Sequence, residues 1–421
     1  MTFPWTLVTW AALALVLIAW LADAWLESLN RHEAKKNAAR VPEPFRELVD
    51  EVTYRKSVEY TLAKSRFGLV ETAMGKVVLL LVLFSGVLPW TCQYYLGPET
   101  LSAAAAAAYL VGLSLVLSLP GLPLDWYSQF RLEARFGFNT TTPGTWWLDR
   151  LKGWLLSVLL GYPLLYVVLK CVEWTGDRWW FWAWITIAFF QGMMMILAPT
   201  LIMPLFNKFT PLPEGNLRTR LMNLAERTGF RARDIQLMDG SRRSTHSNAF
   251  FTGLGRWRRI VLFDTLVDQL SADELEAVLA HEIGHFRLRH IPWMLAGSLL
   301  AMLAGLFVIA QFAKQQLFVQ GFGFANASVF SALIIVSLLG GSLSFWISPL
   351  VNLISRHFEY QADAYAARAT GHPDPLIQAL RKLNIKNLGN LTPHPVYSGF
   401  HYSHPTLLER ERALKRDSAR N

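Results

Sequence analysis

Two histidines four residues apart, with a glutamate beside the first, carry the clearest chemistry in this chain: His281-Glu282-Ile283-Gly284-His285. At 3.6 residues per turn, positions four apart stand about 40° apart round a helix, so both imidazoles face one way and can hold one Zn2+. Glu282 lies about 100° round, beside the metal, where a carboxylate can take a proton from an attacking water. The surrounding sequence supplies the helix. Ser271 followed three residues later by Glu274 is a capping box, and Leu275, Val278 and Leu279 recur at helical spacing. A capped, uninterrupted helix is the context in which this pattern makes a zinc hydrolase site rather than a chance match.

A catalytic zinc takes three protein ligands and leaves one position open. The extended pattern with a third histidine needs a glycine at 288 and a histidine at 291, but the chain has Leu288 and Ile291. His290 is one residue out of register and is expected to point off the zinc face. The third ligand must come from elsewhere. Glu359 and Asp363, four apart on one helical face, are the candidates: Glu359 as the ligand, Asp363 as the hydrogen-bond partner that fixes the tautomer of a ligand histidine.

The elements that bring these pieces together are membrane spans. The chain of 421 residues is 52% hydrophobic and 17% charged, against about 25% charged in ordinary soluble proteins. Its net charge of +9 reads as cytoplasmic loops and not as a nucleic-acid surface, since no basic face of a nucleic-acid motif is present. Seven apolar stretches are long enough to cross a bilayer, near 4–26, 70–91, 101–122, 153–174, 179–203, 291–313 and 327–350. The third is expected to end at Pro120-Gly121. Trp5, Trp10, Trp25, Trp179, Trp180 and Trp293 lie near the expected interfaces. Nothing like a cleavable signal peptide precedes the first span. Of the 40 Lys and Arg, 36 fall in 27–68, 125–152, 206–290 and 356–421, which seven spans place on one side. The N-terminus is therefore expected outside and the C-terminus in the cytoplasm. Cys92 and Cys171 fall near the outer surface and are expected to be free thiols.

This topology gives Glu359 its place. The zinc helix runs into the sixth span, and the seventh returns into Glu359, so the hairpin at 291–350 joins the two halves of the site at the inner membrane face. The chain thus divides into 1–205, five spans with their loops; 206–290, a cytoplasmic catalytic insertion; 291–350, the hairpin; and 351–421, the third-ligand helix and a cytoplasmic tail. Within the insertion, Leu217–Arg227 reads as an amphipathic helix. Asp234–Met238, Asn248–Thr252 and Arg259–Phe263 read as short strands, the last two joined by a turn at Gly253–Gly255. Asn248-Ala249-Phe250 is the candidate edge for pairing with a substrate backbone. From spacing alone, an edge strand and a core strand fit it equally.

Several stretches together resemble the type I CAAX prenyl protease family of seven-span membrane zinc endopeptidases. Besides the zinc helix and Glu359/Asp363, they are Phe136-Gly137-Phe138-Asn139, Pro204-Leu205-Phe206-Asn207-Lys208-Phe209, Ser247-Asn248-Ala249-Phe250-Phe251-Thr252-Gly253 and His401-Tyr402-Ser403-His404-Pro405 with Leu407-Leu408-Glu409-Arg410. The resemblance implies a mostly α, polytopic fold whose seven helices enclose a chamber, with a cytoplasmic α+β zinc-protease domain built on a small sheet. It implies one Zn2+ on His281, His285 and Glu359, with Glu282 as general base. Asn248 and Ala249 would hold the substrate backbone, His404 would stabilise the oxyanion, and Arg410 would help hold the substrate's C-terminal carboxylate. The implied partners are the lipid bilayer and a peptide or protein prenylated at a C-terminal CAAX cysteine, with no nucleic acid. The chain ends without an ER retrieval signal and is rich in Ala, Leu, Arg and Trp. A bacterial inner membrane is therefore expected over the ER. In that setting, quality control of membrane proteins by the same mechanism is the alternative function. A transporter with a vestigial zinc motif is a more distant one, disfavoured because Asp23, Glu71 and Lys76 are nearly the only charges in the spans.

Overall fold

The computed structural model describes residues 5–97, 102–230, 232–252 and 259–418. The expected turn at Gly253–Gly255 lies outside them. The membrane half comprises α1 (Leu7–Lys36), α2 (Glu51–Phe84), α3 (Ala103–Ser118), α4 (Pro143–Thr175) and α5 (Trp179–Leu197). Among the described residues, six helical stretches are long and apolar enough to cross a membrane. One of them, Pro143–Phe206, reverses at Gly176–Arg178 into α4 and α5, which pack on each other. The described residues therefore carry seven spans.

Two boundaries differ from expectation. The second span is not one helix to residue 91: α2 stops at Phe84, Gly86 takes the left-handed conformation (φ 78°), and a separate helix runs Val87–Leu96. A glycine adopts that φ at no steric cost, which makes the break possible. The third span does not stop at Pro120-Gly121. The missing proline N–H is absorbed in a tight 3-10 turn at Leu119–Gly121, and helix continues through a wide π turn at Ser128–Glu133 to Phe136.

The insertion opens with β1 (Phe209–Pro211), followed by α6 (Asn216–Arg227), β2 (Asp234–Met238), β3 (Ala249–Thr252) and β4 (Arg259–Phe263). The sheet order is β1-β2-β4-β3, with β2 and β4 parallel and both outer pairs antiparallel. β3 is thus an edge strand, and the core reading of it falls away. α7 (Ala272–Arg287) starts at the expected capping box, Ser271 capping Glu274 N–H and Glu274 returning to Ser271 N–H. Its Leu275, Leu279 and Ile283 share one core with Leu224 of α6 and Ile260 of β4, all nearly fully buried.

The hairpin consists of α8 (His290–Ala313) and α9 (Val329–Thr370). α9 has 42 residues, about 63 Å at 1.5 Å per residue. It crosses the membrane and continues unbroken past Glu359 and Asp363, packing along α7. After it come α10 (Asp374–Lys386), α11 (Pro395–His401) and α12 (Leu407–Ser418). α11 returns to the membrane half: Asn352 Nδ2 donates to Phe400 O at 2.7 Å, and Arg356 Nη1 to Tyr402 O at 2.7 Å. Cys92 and Cys171 are both free thiols.

Candidate metal centre

His281 and His285 project from α7 toward α9, where Glu359 meets them. The Nε2 atoms of the histidines are 3.2 Å apart, His285 Nε2 is 3.3 Å from Glu359 Oε1, and His281 Nε2 is 3.5 Å from Glu359 Oε2. Three donors about 2.0–2.1 Å from one zinc in tetrahedral array stand about 3.3–3.4 Å from each other. The two imidazole nitrogens stand close to that edge length from each other, and each lies within 3.5 Å of one oxygen of the Glu359 carboxylate. Glu359 Oε2 is buried without a hydrogen-bond partner, a cost of the order of 1–3 kcal/mol unless something accepts its lone pairs. Among the described residues this is the cluster of His, Cys, Asp and Glu fit to hold a metal ion. The donor set, two imidazoles and one carboxylate, is that of a catalytic zinc.

The close meeting of the two helices has a local cause. Gly284, in the middle of the motif, faces α9 so closely that a Cβ there would stand 3.1 Å from Ala362 Cα and 3.2 Å from Tyr365 Cβ. Helical spacing locates the histidines, and the close approach of α9 accounts for a glycine between them.

Asp363, one turn beyond Glu359, lies 2.8 Å from His281 Nδ1. Its carboxylate holds the proton on Nδ1 and leaves Nε2 free for a metal. Arg410 closes the arrangement from α12, with Nε 2.8 Å from Asp363 Oδ2, Nη2 2.5 Å from Oδ1 and Nη1 3.6 Å from Glu359 Oε2. Burial pushes the Asp363 carboxyl up, but the Arg410 charge and hydrogen bonds outweigh it and hold the group far below the usual range. Glu359 is likewise raised by burial and lowered more by the His285 hydrogen bond and the charges of His281 and Arg410, to about 2. Both are carboxylates at neutral pH, as ligand and orienter must be. The expected role of Arg410 at a substrate carboxylate is not what this geometry supports. The residue is buried, and its fork is spent on Asp363.

Glu282 sits among the same charges, and burial raises its carboxyl against the pull of His281 and His285. That is the direction a general base needs if it is to take a proton near neutral pH. His404 reaches in from the segment before α12, Nε2 3.4 Å from Glu359 Oε1, with its side chain 64% exposed. Asn248 is exposed at the start of the edge strand, its own side chain accepting from Ala249 N–H at 2.8 Å. Its carbonyl accepts from Phe263 N–H at 3.1 Å, so the paired side of the strand is fixed on β4.

The other stretches singled out in the sequence fasten this centre to the membrane half. Phe138 stacks on His246 at 4.2 Å, Thr141 Oγ1 donates to Arg243 O at 2.9 Å, and Arg243 bonds both Asp149 Oδ2 (2.8 Å) and Asn207 Oδ1 (3.1 Å). Two cavities, about 640 and 530 Å3, are both walled by Lys64 and His246.

Comparison with known proteins agrees along the whole length. Residues 30–208 match the family model described as CAAX prenyl protease N-terminal, five membrane helices, and residues 211–418 match peptidase family M48. The chain is 35% identical over 416 residues to CAAX prenyl protease 1 homolog of Oryza sativa, covering 96% of each. It is 36% identical over 410 residues to CAAX prenyl protease 1 of Saccharomyces cerevisiae, covering 91% of this chain and 90% of that one. The human CAAX prenyl protease 1 homolog is 30% identical, with 96% of this chain and 94% of that one covered. The crystal structure of S. mikatae Ste24p superposes with a TM-score of 0.89 at 34% identity, covering 98% of this chain and 99% of that one. With a peptidase site assembled by a transmembrane hairpin and both halves of the chain matched, this protein belongs to peptidase family M48 and is a multi-span, membrane-embedded metallopeptidase.

Proposed function

We propose that the metal is one Zn2+ held by His281, His285 and Glu359, and that the enzyme is an endopeptidase of the CAAX prenyl type. The observation that carries the metal reading is the convergence of two imidazole nitrogens, 3.2 Å apart, on the buried Glu359 carboxylate, whose Oε2 has no hydrogen-bond partner. When bound, zinc polarises the scissile carbonyl and acidifies the attacking water. Glu282 takes the proton of that water and passes it to the leaving amine. Asp363 keeps His281 in the tautomer that leaves Nε2 free, and Arg410 keeps Asp363 ionised. His404, open to the site and near Glu359, donates to the oxyanion as charge develops there. The free edge of β3 at Asn248-Ala249 pairs with an extended substrate backbone.

The preferred substrate is a protein tail prenylated at a CAAX cysteine. The names of the relatives from rice, yeast and human support this, because similarity runs through the whole chain and not the motif alone. Turnover of unprenylated membrane proteins is the second reading. Basic loops on one side favour an outside N-terminus and a cytoplasmic site. The residue usage favours a bacterial inner membrane.

The test uses the full chain on a farnesylated CAAX peptide and on an unprenylated membrane-protein fragment. Glu282→Gln should keep zinc and lose at least about 100-fold in kcat/KM, the scale of general-base catalysis. Glu359→Ala should lose zinc as well as activity. Cleavage by Glu282→Gln at the wild-type rate would sink the mechanism. Preference for the fragment over the farnesylated peptide would reverse the choice of substrate.

A further inference from the structure

The boundary between α7 and α8 is made by Arg289, which is not a glycine yet takes the left-handed conformation, φ 59° and ψ 32°. Only a few per cent of non-glycine residues do so, and the strain persists where the surroundings over-determine it. Its effect is to end one helix and start the next within two residues, folding His290 back beneath His285. In a straight helix His290 would point away. Here its ring is 1% exposed, lies flat on Phe358 (4.2 Å, 7° between planes), and puts Nδ1 3.0 Å from His285 Nδ1 and Nε2 2.9 Å from Gln361 Oε1. Gln361 Nε2 is in turn 3.1 Å from His357 Nε2, at the exposed end of the row.

From these contacts we infer that His290 is a positioning residue for the metal ligand His285, and that its tautomer is set by Gln361. The proton placement follows from the donors. The amide oxygen of Gln361 only accepts, so His290 carries its hydrogen on Nε2 and donates it there. Its Nδ1 is then a lone pair, which can only accept from His285 Nδ1–H. That leaves His285 Nε2, on the far side of the ring, bare and aimed at His281 and Glu359. Gln361 N–H donates to His357 and completes the row. His281 thus has its proton held by a carboxylate and His285 by a neutral imidazole. The second arrangement orients the ring without adding a negative charge to a site that already holds Glu359, Asp363 and Glu282. It also joins the start of one transmembrane helix, α8, to the ligand-bearing stretch of another, α9.

This rests on the metal reading above, and zinc affinity tests both separately. The experiment measures zinc binding to the detergent-solubilised full chain by competition with a chromophoric chelator, with thermal melts of the zinc-free proteins. His290→Phe keeps a flat ring on Phe358 and removes the acceptor; its Kd should rise about 10- to 100-fold, the scale of losing a ligand's orienting partner. His290→Gln, which can accept from His285 and donate to Gln361, should recover most of that loss. A His290→Phe protein with wild-type Kd, or a His290→Gln protein as weak as His290→Phe, would overturn the inference. Should His290→Phe not fold, Gln361→Leu leaves the His290 ring in place and frees its tautomer. A weaker Kd there supports the assignment, and an unchanged one overturns it. A wild-type chain that binds no zinc defeats the metal reading itself.

Discussion

The candidate metal-site residues on α7 are legible because their relation is local. His281, Glu282 and His285 fall on one turn of one helix, and 3.6 residues per turn is all that the argument needs. Glu359 required elimination, since Leu288 and Ile291 removed the nearer ligand and the topology supplied the distant one. The supporting residues were less visible. His290 gains its place from a backbone reversal at Arg289 that no side-chain pattern announces. Arg410 was singled out for a substrate carboxylate and meets Asp363 in the structure, because a sequence does not say which carboxylate a guanidinium will meet. Its observed partner gives a sharp expectation. Arg410→Leu leaves the buried Asp363 carboxylate with the His281 hydrogen bond but without its counter-charge, which should cost about 3–5 kcal/mol in a denaturant melt. Arg410→Lys should recover only part of this, because an ammonium cannot make the two parallel bonds that Nε and Nη2 make to Asp363.

Among the elements, those with a strong period were read closely. Asp234–Met238 and Arg259–Phe263 are strands at the expected residues, and Asn216–Arg227 is one residue longer than the expected helix. The misses have physical causes. Phe209–Pro211 is too short for any alternation to show, and it becomes a strand only because β2 offers it an edge. Helix continues beyond Pro120 because a 3-10 turn tolerates the missing N–H, while α2 breaks at a glycine that seemed harmless inside an apolar run. The element contact that matters most is the crossing of α7 and α9 at Gly284. Gly284→Ala would place a methyl against Ala362 and Tyr365 backbone and Cβ atoms that have no free rotamer. It should destabilise the protein by about 1–3 kcal/mol, the usual cost of overpacking. It should also weaken zinc binding, because the only relief is to move His281 and His285 away from Glu359. Unchanged zinc affinity in a folded Gly284→Ala protein would show that the crossing does not set the ligand distances.

At the scale of the whole molecule, the spans belong to the active site. α7 belongs to the insertion and α9 crosses the membrane, and the three candidate donors meet where α7 packs along α9, with α8 joining the two. Harsh detergent should therefore release zinc under conditions in which mild detergent or nanodiscs retain it, measured as metal per chain after gel filtration. Full retention in harsh detergent would mean that the α7–α9 contact alone suffices. The same unbroken α9 has a bearing on how the enzyme is made. The histidines leave the ribosome first, and Glu359 follows 74 positions later in the chain. Both intervening spans must be threaded into the bilayer before the last donor arrives. A nascent chain therefore lacks the proposed third donor until Glu359 has been made.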